Sequence, residues 1–331
     1  MDKILLGHGS GGKLMHQLIS EHFSPSFGIK GAGDSALVDV PSTKLAYTTD
    51  SYVVTPLFFP GGNIGELAVN GTVNDLAVAG AEPLFLTAGF IIEEGFLFAD
   101  LQKIVASMAE AAMIANVRIV AGDTKVVNKG KADGMFINTS GVGVVRDGID
   151  ISASRIKTGD AVIVSGEIGN HGVAILAERN GLSFDPPVKT DCRPLNGLTK
   201  AMLGIDPGIR FMRDPTRGGL ATTLKEAAIE SNLCIKIKES ALPIPQPVQG
   251  ACKLLGLDPL YVANEGILIA ILDAKKAEVV LAAMKRHPFG EKAAVIGEVA
   301  ASPENHVLLE TNLGGSRIVD MLPGEMLPRI C

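Results

Sequence analysis

Four aspartates are the residues of this sequence that most directly suggest chemistry, because each stands beside a glycine or at the end of an apolar run. They are Asp34, Asp50, Asp75 and Asp123. Hard cations such as Mg2+ take oxygen ligands, and an ion that carries phosphates is held by one or two carboxylates plus water. A single aspartate in such a setting is more simply a turn former or a helix N-cap. Their joint occurrence predicts a site for metal-bound phosphates, with all four as ligands.

A glycine-rich segment at residues 7–13 offers backbone N–H groups that can bind phosphate. It reads Gly-His-Gly-Ser-Gly-Gly-Lys and fits the P-loop spacing G-x-x-x-x-G-K. A P-loop needs Ser or Thr next and a full strand before it, whereas Leu14 follows here and only residues 3–6 precede. A P-loop is therefore disfavoured, and two interpretations remain, a flexible loop or a phosphate-binding flap. The residues of the flap would be Gly9, Ser10, Gly11 and Gly12.

The segment 214–220, Asp-Pro-Thr-Arg-Gly-Gly-Leu, opens a helical pattern over 221–231. Free N–H groups and the positive end of the helix dipole favour an anion at a helix start. The same letters are equally typical of an ordinary helix capped by Asp or Thr. On the first interpretation, Thr216 and Arg217 contact a bound anion.

Two further polar residues stand where apolar strands end or begin. Lys125 directly follows Gly-Asp-Thr at 122–124, and Glu265 lies between Asn264 and Gly266. A solvated loop is the alternative interpretation for both. We carry both forward as candidate site residues.

The chain ends in a cysteine, Cys331, after a stretch rich in glycine and proline. Such composition disfavours packed structure and predicts a mobile arm over 312–331. Cysteine is usually buried, so its display on an arm indicates either a reactive thiol or an incidental one. A prenylation signal is excluded, because it needs three residues after the cysteine. Arg329 favours the thiolate and the adjacent carboxylate opposes it, which leaves the sign of the pKa shift of Cys331 open.

These residues belong to a chain of ordinary globular composition. Its length of 331 residues predicts about two domains. Hydrophobic residues make up 47% of the chain and charged residues 20%, a balance that excludes a disordered or fibrous protein. The net charge of −6 argues against nucleic acid or an anionic membrane as the main partner. No apolar run predicts a membrane span, and the start lacks the features of a secretory signal, so we expect a cytoplasmic protein. The other cysteines, Cys192, Cys234 and Cys252, form no C-x-x-C pair and are expected to be buried as small apolar residues.

The hydrophobic pattern predicts two α+β domains, 1–150 and 151–311, followed by the tail. A proline-rich stretch over 243–247 is expected to be an extended connection. No repeat of fixed period is present. The predicted strands are 35–40, 44–48, 83–92, 117–121, 134–145, 161–165, 233–238, 267–272 and 293–299, with a further strand, loop and helix in 209–231. The other predicted helices are 64–79, 100–115, 172–179 and 275–286.

Together these segments resemble the AIR synthetase-like (PurM-like) superfamily of ATP-dependent enzymes, and within it the branch that serves hydrogenase maturation. The resemblance covers nearly the whole chain, and the terminal Pro-Arg-Ile-Cys is its most discriminating part. The first acidic motif of the superfamily is often Gly-Asp-Asp-Ala, and Ser35 replaces the second Asp here, which leaves the number of metal ligands open. The other segments that carry the resemblance are 8–12, 49–52, 56–65, 74–75, 122–127, 214–219 and 264–266.

The resemblance implies a PurM-like fold whose N-terminal domains pair as a β-barrel across a homodimer, with ATP bound near the groove between the halves. It also implies a reaction, in which a carbamoyl group delivered to Cys331 by the carbamoyltransferase HypF is dehydrated with ATP to a thiocyanate. The cyanide then passes to the HypC–HypD complex, which builds the iron–cyanide–carbonyl part of a NiFe hydrogenase. Cys331, Lys125 and Glu265 are the implied catalytic residues, with Glu265 as the candidate base. The residues implied to bind ATP and Mg2+ are Gly9, Ser10, Gly11, Gly12, Asp34, Asp50, Asn74, Asp75, Asp123, Thr124, Lys125, Thr216 and Arg217, with the four aspartates as metal ligands.

Two alternatives stay open at this point. One is another phosphotransferase of the superfamily, such as a thiamine-monophosphate kinase or a selenophosphate synthetase. The kinase has no use for a terminal thiol, and the synthetase needs a cysteine or selenocysteine in a glycine-rich loop that has none here. The other is a non-catalytic carrier that only holds a cyanide precursor.

Overall fold

The computed structural model describes residues 13–18, 20, 36–40, 43–322, 324 and 329–331. The elements described in the first half are α1 (Lys13–Leu18), β1 (Ala36–Val40), β2 (Thr43–Tyr52), β3 (Phe58–Phe59), β4 (Gly62–Asn63), α2 (Ile64–Val78), β5 (Ala81–Glu93), α3 (Phe98–Ile114), β6 (Arg118–Val127) and β7 (Met135–Val145). A five-stranded sheet has the order β1-β2-β7-β5-β6. β5 and β6 run parallel, and the other neighbours in this sheet are antiparallel.

Helix α2 lies at the centre of the first half and begins with a reciprocal cap. The side chain of Asn63 accepts a hydrogen bond from the Gly65 N–H (2.8 Å), and Glu66 accepts one from the Asn63 N–H. This is a capping box, which satisfies backbone groups that would otherwise be unpaired. A Cβ at Gly65 would lie 2.3 Å from the Ile104 carbonyl oxygen, so glycine is what lets α3 approach α2 closely.

The two faces of the first sheet differ in exposure. Side chains on the inner face, such as Tyr52, Leu86 and Ile137, are buried in the core that α2 and α3 share with the sheet. On the outer face Tyr47 and Ile91 are each 45% exposed. The edge strand β6 is exposed over nearly its whole length. In a single chain, the outer face and this edge are therefore open.

The second half contains β8 (Asp160–Val164), α4 (Asn170–Asn180), α5 (Asn196–Ile205), β9 (Phe211–Arg213), α6 (Gly219–Ser231), β10 (Cys234–Lys238), α7 (Gln246–Leu255), β11 (Ile269–Asp273), α8 (Ala274–Arg286), β12 (Ala294–Ala300), β13 (His306–Glu310) and β14 (Ser316–Val319). Its seven-stranded sheet has the order β14-β13-β10-β12-β8-β11-β9. One core packs this sheet against α6, and a second core packs it against α5 and α8.

The second of these cores also includes residues of the first half, among them Ala46 and Leu76. A buried side chain, Asn74, adds polar links between the halves. Its amide nitrogen donates to the carbonyl oxygens of Arg193 (3.1 Å) and Glu265 (3.2 Å), and its amide oxygen accepts from the Leu195 N–H (2.7 Å). The two halves are therefore held by shared apolar packing and by a buried polar clamp.

The structure departs from the predicted elements at several places. The unexpected elements are α1, β3, β4, α5 and β13. Helix α7 was also not expected, and it begins at Gln246, so only the last two residues of the predicted extended connection are helical. Pro247 stands in the first turn of α7, where a missing N–H removes no helical bond. The expected mobile arm begins with a strand, because β14 pairs antiparallel with β13. In the described residues, no helix has both the length and the apolar character needed to span a membrane.

Candidate active site

The last three residues of the chain are docked on the backbone that follows β2. The Val53 N–H donates to the Cys331 carbonyl oxygen (3.1 Å), and the Thr55 N–H donates to that of Arg329 (3.2 Å). The Arg329 Nε donates back to the Val53 oxygen (2.9 Å). Ile330 is 4% exposed and packs in the first-half core. The sequence predicts a mobile arm here, whereas the unpaired backbone groups after β2 supply partners that hold its end in place.

The Cys331 side chain lies among charged groups from both halves. Burial raises the pKa of its thiol to about 12, and Asp50, Asp214 and the ionised form of Glu265 add to the rise. The Arg217 guanidinium opposes the rise. The docked thiol is therefore protonated at neutral pH, which gives the sign that the sequence left open.

Glu265 is a buried acid, 2% exposed, and its Oε1 has no hydrogen-bond partner. Burial raises the pKa of this carboxyl well above its usual range, and Asp214, Asp50 and Asp191 raise it further. Arg217 acts in the opposite direction. A carboxyl in this setting keeps its proton to a higher pH than an exposed carboxyl does, and it is a stronger base once ionised. The solvated-loop interpretation of Glu265 is wrong.

The residues on either side of Glu265 hold its backbone rigidly. The Asn264 amide oxygen accepts from the Gly169 N–H (2.6 Å), and its nitrogen donates to the Pro215 carbonyl oxygen (2.9 Å). The N–H groups of Glu265 and Gly266 both donate to the Asp191 carboxylate. A Cβ at position 266 would lie 1.7 Å from the Asp191 carbonyl oxygen, which explains the glycine.

Arg217 reaches the site from the turn that starts α6. Gly218 and Gly219 both have positive φ, +77° and +59°, so the turn uses conformations that favour glycine. The Thr216 carbonyl oxygen accepts from the Gly219 N–H (3.0 Å), which closes the turn. Cys331, in its thiolate form, is the group that would most raise the pKa of Arg217. Arg217 therefore lies within electrostatic range of the terminal sulfur, and its contact with a bound anion stays a prediction.

Asp50 and Asp75 lie between the inner face of the first sheet and α2. Thr48, two residues before Asp50 on β2, donates its hydroxyl to the Asp75 carboxylate (2.7 Å). Both carboxylates act on the buried Tyr52 hydroxyl and raise its pKa, although burial is the larger cause. The structure therefore brings Asp50, Asp75 and Glu265 to one region.

Asp123 and Lys125 lie apart from that region. The Lys125 Nζ donates to the Asp123 carboxylate (2.5 Å), and the side chain of Lys125 is 68% exposed. In the sheet, Asp123 pairs with Gly89 of β5, and Gly89 pairs with Asn138 of β7. Asp50 pairs with the next residue of β7, Thr139. Because successive residues alternate in face, Asp123 and Asp50 project to opposite sides of the sheet, three strands or about 14 Å apart. Within one chain the predicted aspartates therefore do not all meet.

Three other residues that the sequence predicts to contact the nucleotide are Asn74, Thr124 and Thr216. The side-chain amide of Asn74 uses its nitrogen and its oxygen in hydrogen bonds that link the two halves, which is a structural role. Thr124 pairs with Phe90 on the exposed edge strand, and the backbone of Thr216 closes the α6 turn. Gly9, Ser10, Gly11, Gly12 and Asp34 lie outside the described residues. Within the part of the chain that is described, no three His, Cys, Asp or Glu side chains converge to hold a metal.

Sequence reasoning missed several residues of this site. Tyr52 lies under Asp50 and Asp75, Asp191 holds the Glu265 backbone, and His171 and Arg179 contact the tail. Asp191, His171 and Arg179 were not predicted because their contacts join segments that are far apart along the chain.

Two family models match the chain: AIR synthase related protein, N-terminal domain, over residues 32–145, and AIR synthase related protein, C-terminal domain, over residues 157–310. The chain therefore belongs to the AIR synthase related proteins, a class with the PurM-like fold. The carbamoyl dehydratase HypE of Bradyrhizobium diazoefficiens is 55% identical over 330 residues, which are 98% of this chain and 95% of that protein. Within the class, the chain is a member of the carbamoyl dehydratase HypE family.

Solved structures agree with this assignment. Hydrogenase maturation protein HypE in complex with ATP is 46% identical, with a TM-score of 0.85 and coverage of 99% of this chain and 100% of that chain. A HypE–HypF complex is 49% identical, with a TM-score of 0.88 and coverage of 92% and 99%. The resemblance that the sequence suggested is confirmed.

Proposed function

We propose that this chain uses ATP to dehydrate a carboxamide carried on the sulfur of its own Cys331, and that the resulting thiocyanate supplies cyanide for maturation of a NiFe hydrogenase. The observation that carries the proposal is the docked terminal thiol, which lies within electrostatic range of the buried acid Glu265 and the Arg217 guanidinium. The relatives named carbamoyl dehydratase, and the relative solved with ATP, support the same activity. The chain is accordingly an ATP-dependent dehydratase.

The sulfur receives its carbamoyl group while the tail is undocked. In the docked state the Cys331 pKa of about 12 keeps the thiol protonated, and a thiol is a poor nucleophile. Outside the site the thiolate forms far more readily. A carbamoylated sulfur carries no charge, so its return to the buried site meets no penalty for burying an ion. We propose HypF as the carbamoyl donor, supported by the relative solved in complex with HypF.

The chemistry has two steps. In the first, the carboxamide oxygen attacks the γ-phosphorus of ATP, forming an O–P bond while the bond to the ADP oxygen breaks. In the second, the nitrogen loses its two protons, one to Glu265 and one to the departing phosphate, while the C–O bond breaks and S–C≡N remains. Glu265 takes a proton from nitrogen in its ionised form, which Arg217 favours. The docked tail excludes water that would otherwise hydrolyse ATP.

Asp50 and Asp75 fit the donor set of a nucleotide-bound Mg2+, which uses one or two carboxylates together with phosphate oxygens and water. When bound, the ion supplies positive charge that offsets the phosphates. Lys125 would steady the transferring charge, which requires a second copy of the chain, because within one chain it lies apart from Asp50 and Asp75. The further ATP contacts that we propose are Gly9, Ser10, Gly11, Gly12, Asp34, Asn74, Asp123, Thr124, Thr216 and Arg217, with Asp34 and Asp123 as additional metal ligands.

We also propose that two chains pair through their first sheets as a β-barrel. The outer face presents Tyr47 and Ile91, and the edge strand β6 is exposed along its length. A long open edge is normally covered, because its unpaired backbone groups recruit other strands. Pairing with a second copy would bury both features.

The remaining parts of the proposal concern the setting of the reaction. The HypC–HypD complex is the cyanide acceptor, and it meets the sulfur only when the tail is undocked. The domains are 1–150 and 151–311, with the tail after them. The site of action is the cytoplasm, and support comes from four free thiols, a state that a reducing compartment maintains.

Intact mass spectrometry tests the function directly. The full chain is incubated with carbamoyl phosphate, HypF and ATP, and the mass of the modified protein is followed over time. We expect carbamoylation first and then a loss of water that requires ATP. Cys331→Ala should show neither change and should still bind ATP, whereas the matched control Cys252→Ala, at a buried thiol of the second half, should show both.

Two results would contradict the proposal. Carbamoylation without ATP-dependent loss of water would make the chain a carrier. Phosphorylation of a small molecule in the absence of any change at Cys331 would make it a phosphotransferase of another kind.

A further inference from the structure

Two side chains of α4 bind the main chain of the docked tail. His171 is fully buried, and its Nε2 lies 2.6 Å from the Ile330 carbonyl oxygen. A carbonyl oxygen only accepts, so Nε2 carries the proton. The other ring nitrogen, Nδ1, then accepts from the Thr190 hydroxyl (2.8 Å), whose oxygen in turn accepts from the Cys192 N–H (3.0 Å). The neutral ring is therefore held in one tautomer and one orientation.

Arg179, two turns further along α4, joins the tail to the segment on which it docks. Its Nη2 donates to the Arg329 carbonyl oxygen (2.9 Å), and its Nε donates to the Thr55 carbonyl oxygen (3.0 Å). One guanidinium thus fixes two backbone segments relative to each other, which suits its planar array of donors. At the rim, the Arg329 side chain also pairs with Asp133.

We propose that His171 and Arg179 are positioning residues for the dehydration, forming a latch that holds the backbone of Ile330 and Arg329 and thereby places the Cys331 sulfur beside Glu265 and Arg217. This inference rests on the proposed function. Both groups act through the tail and touch no reacting atom.

The latch recognises backbone carbonyl groups and not the sulfur. It therefore holds the thiol, the carboxamide and the thiocyanate in the same way. These hydrogen bonds do not change when the reaction is complete. Release of the tail for cyanide transfer therefore depends on a partner that competes for the tail. Burial lowers the pKa of His171, which keeps the ring neutral and the latch closed through the neutral pH range.

Alkylation of Cys331 measures the latch without requiring catalysis. The full chain is treated with iodoacetamide, and the rate is read from the mass of the C-terminal peptide. The variants are His171→Leu and Arg179→Met, which remove the donors, and His171→Gln, whose amide nitrogen can replace Nε2. The matched controls are His287→Leu and Arg155→Met, because His287 accepts from the Phe289 N–H and Arg155 donates to the Ile209 carbonyl oxygen, neither of which belongs to the tail.

Loss of one hydrogen bond should speed alkylation of Cys331 by about 2- to 12-fold and slow the single-turnover loss of water by a similar factor. Carbamoylation by HypF should stay the same or become faster, because the tail spends more time undocked. In His171→Gln both the alkylation rate and the rate of water loss should be closer to the wild-type values. The two controls should change neither rate. An unchanged alkylation rate in both donor-free variants would overturn the latch.

A parallel fall of carbamoylation, dehydration and melting temperature would also overturn it, because that pattern belongs to general destabilisation. If the wild-type chain alkylates slowly and the two variants quickly, but no chain loses water with ATP, the latch stands and the proposed function fails.

Discussion

Replacing Glu265 by Gln separates the electrostatics of this acid from its chemistry. Gln has nearly the same shape as Glu and cannot ionise. Unfolded Glu265 ionises near pH 4.5, whereas burial holds the pKa of the folded carboxyl well above that value. Between these two pH values the folded wild-type chain keeps a proton that the unfolded chain loses, so its free energy of unfolding falls as pH rises.

The slope of that fall is about 1.4 kcal/mol per pH unit. The Gln variant has no such slope at this position. Relative to wild type, its free energy of unfolding should therefore rise as the pH increases above 4.5, until the folded wild-type carboxyl ionises. In the same variant the ATP-dependent loss of water should fall by about 100-fold or more, because the base is gone.

Urea unfolding at a series of pH values measures the first effect, and single-turnover intact mass measures the second. Glu66→Gln is the matched control, since burial also raises the pKa of Glu66, to about 7, and Gln can serve in a capping box. It should shift the pH dependence of stability without slowing dehydration. If Glu265→Gln leaves the pH dependence unchanged, the carboxyl is not neutral in the folded chain, and if it dehydrates at the wild-type rate, Glu265 is not the base.

Two further predictions concern the first sheet. Lys125→Ala should lower ATP turnover at least tenfold, and it should leave the melting temperature unchanged because the side chain is exposed. The matched variant Lys103→Ala should change neither the turnover nor the melting temperature. Equal turnover in the two variants would remove Lys125 from the site. Ile91→Arg should convert a dimer to a monomer, as measured by light scattering. The control Leu254→Arg, at an exposed apolar residue on α7, should leave the dimer intact. If both variants are dimers, the chains do not pair through the outer face of the first sheet.

Local patterns predicted much of the fold. The hydrophobic pattern predicts a helix at 64–79, and the structure has α2 at Ile64–Val78. The strand at 117–121 was predicted too short, since the polar run through Asp123 and Lys125 hides a strand that continues to Val127. Helix α7 was missed because prolines dominate its start, although a helix tolerates proline in its first turn.

The composition of this sequence and its motifs determined which residues are candidates, because a terminal cysteine, an Asn-Glu-Gly turn and aspartates beside glycine are visible without any coordinates. Tertiary structure alone decided which of them meet. Cys331, Arg217 and Glu265 come together from three distant segments, and Asp123 turns away from Asp50 through a one-residue difference in strand register. The direction of the pKa shifts of the Cys331 thiol and the Glu265 carboxyl could not be predicted from the sequence either. It depends on burial and on charges that only folding brings near.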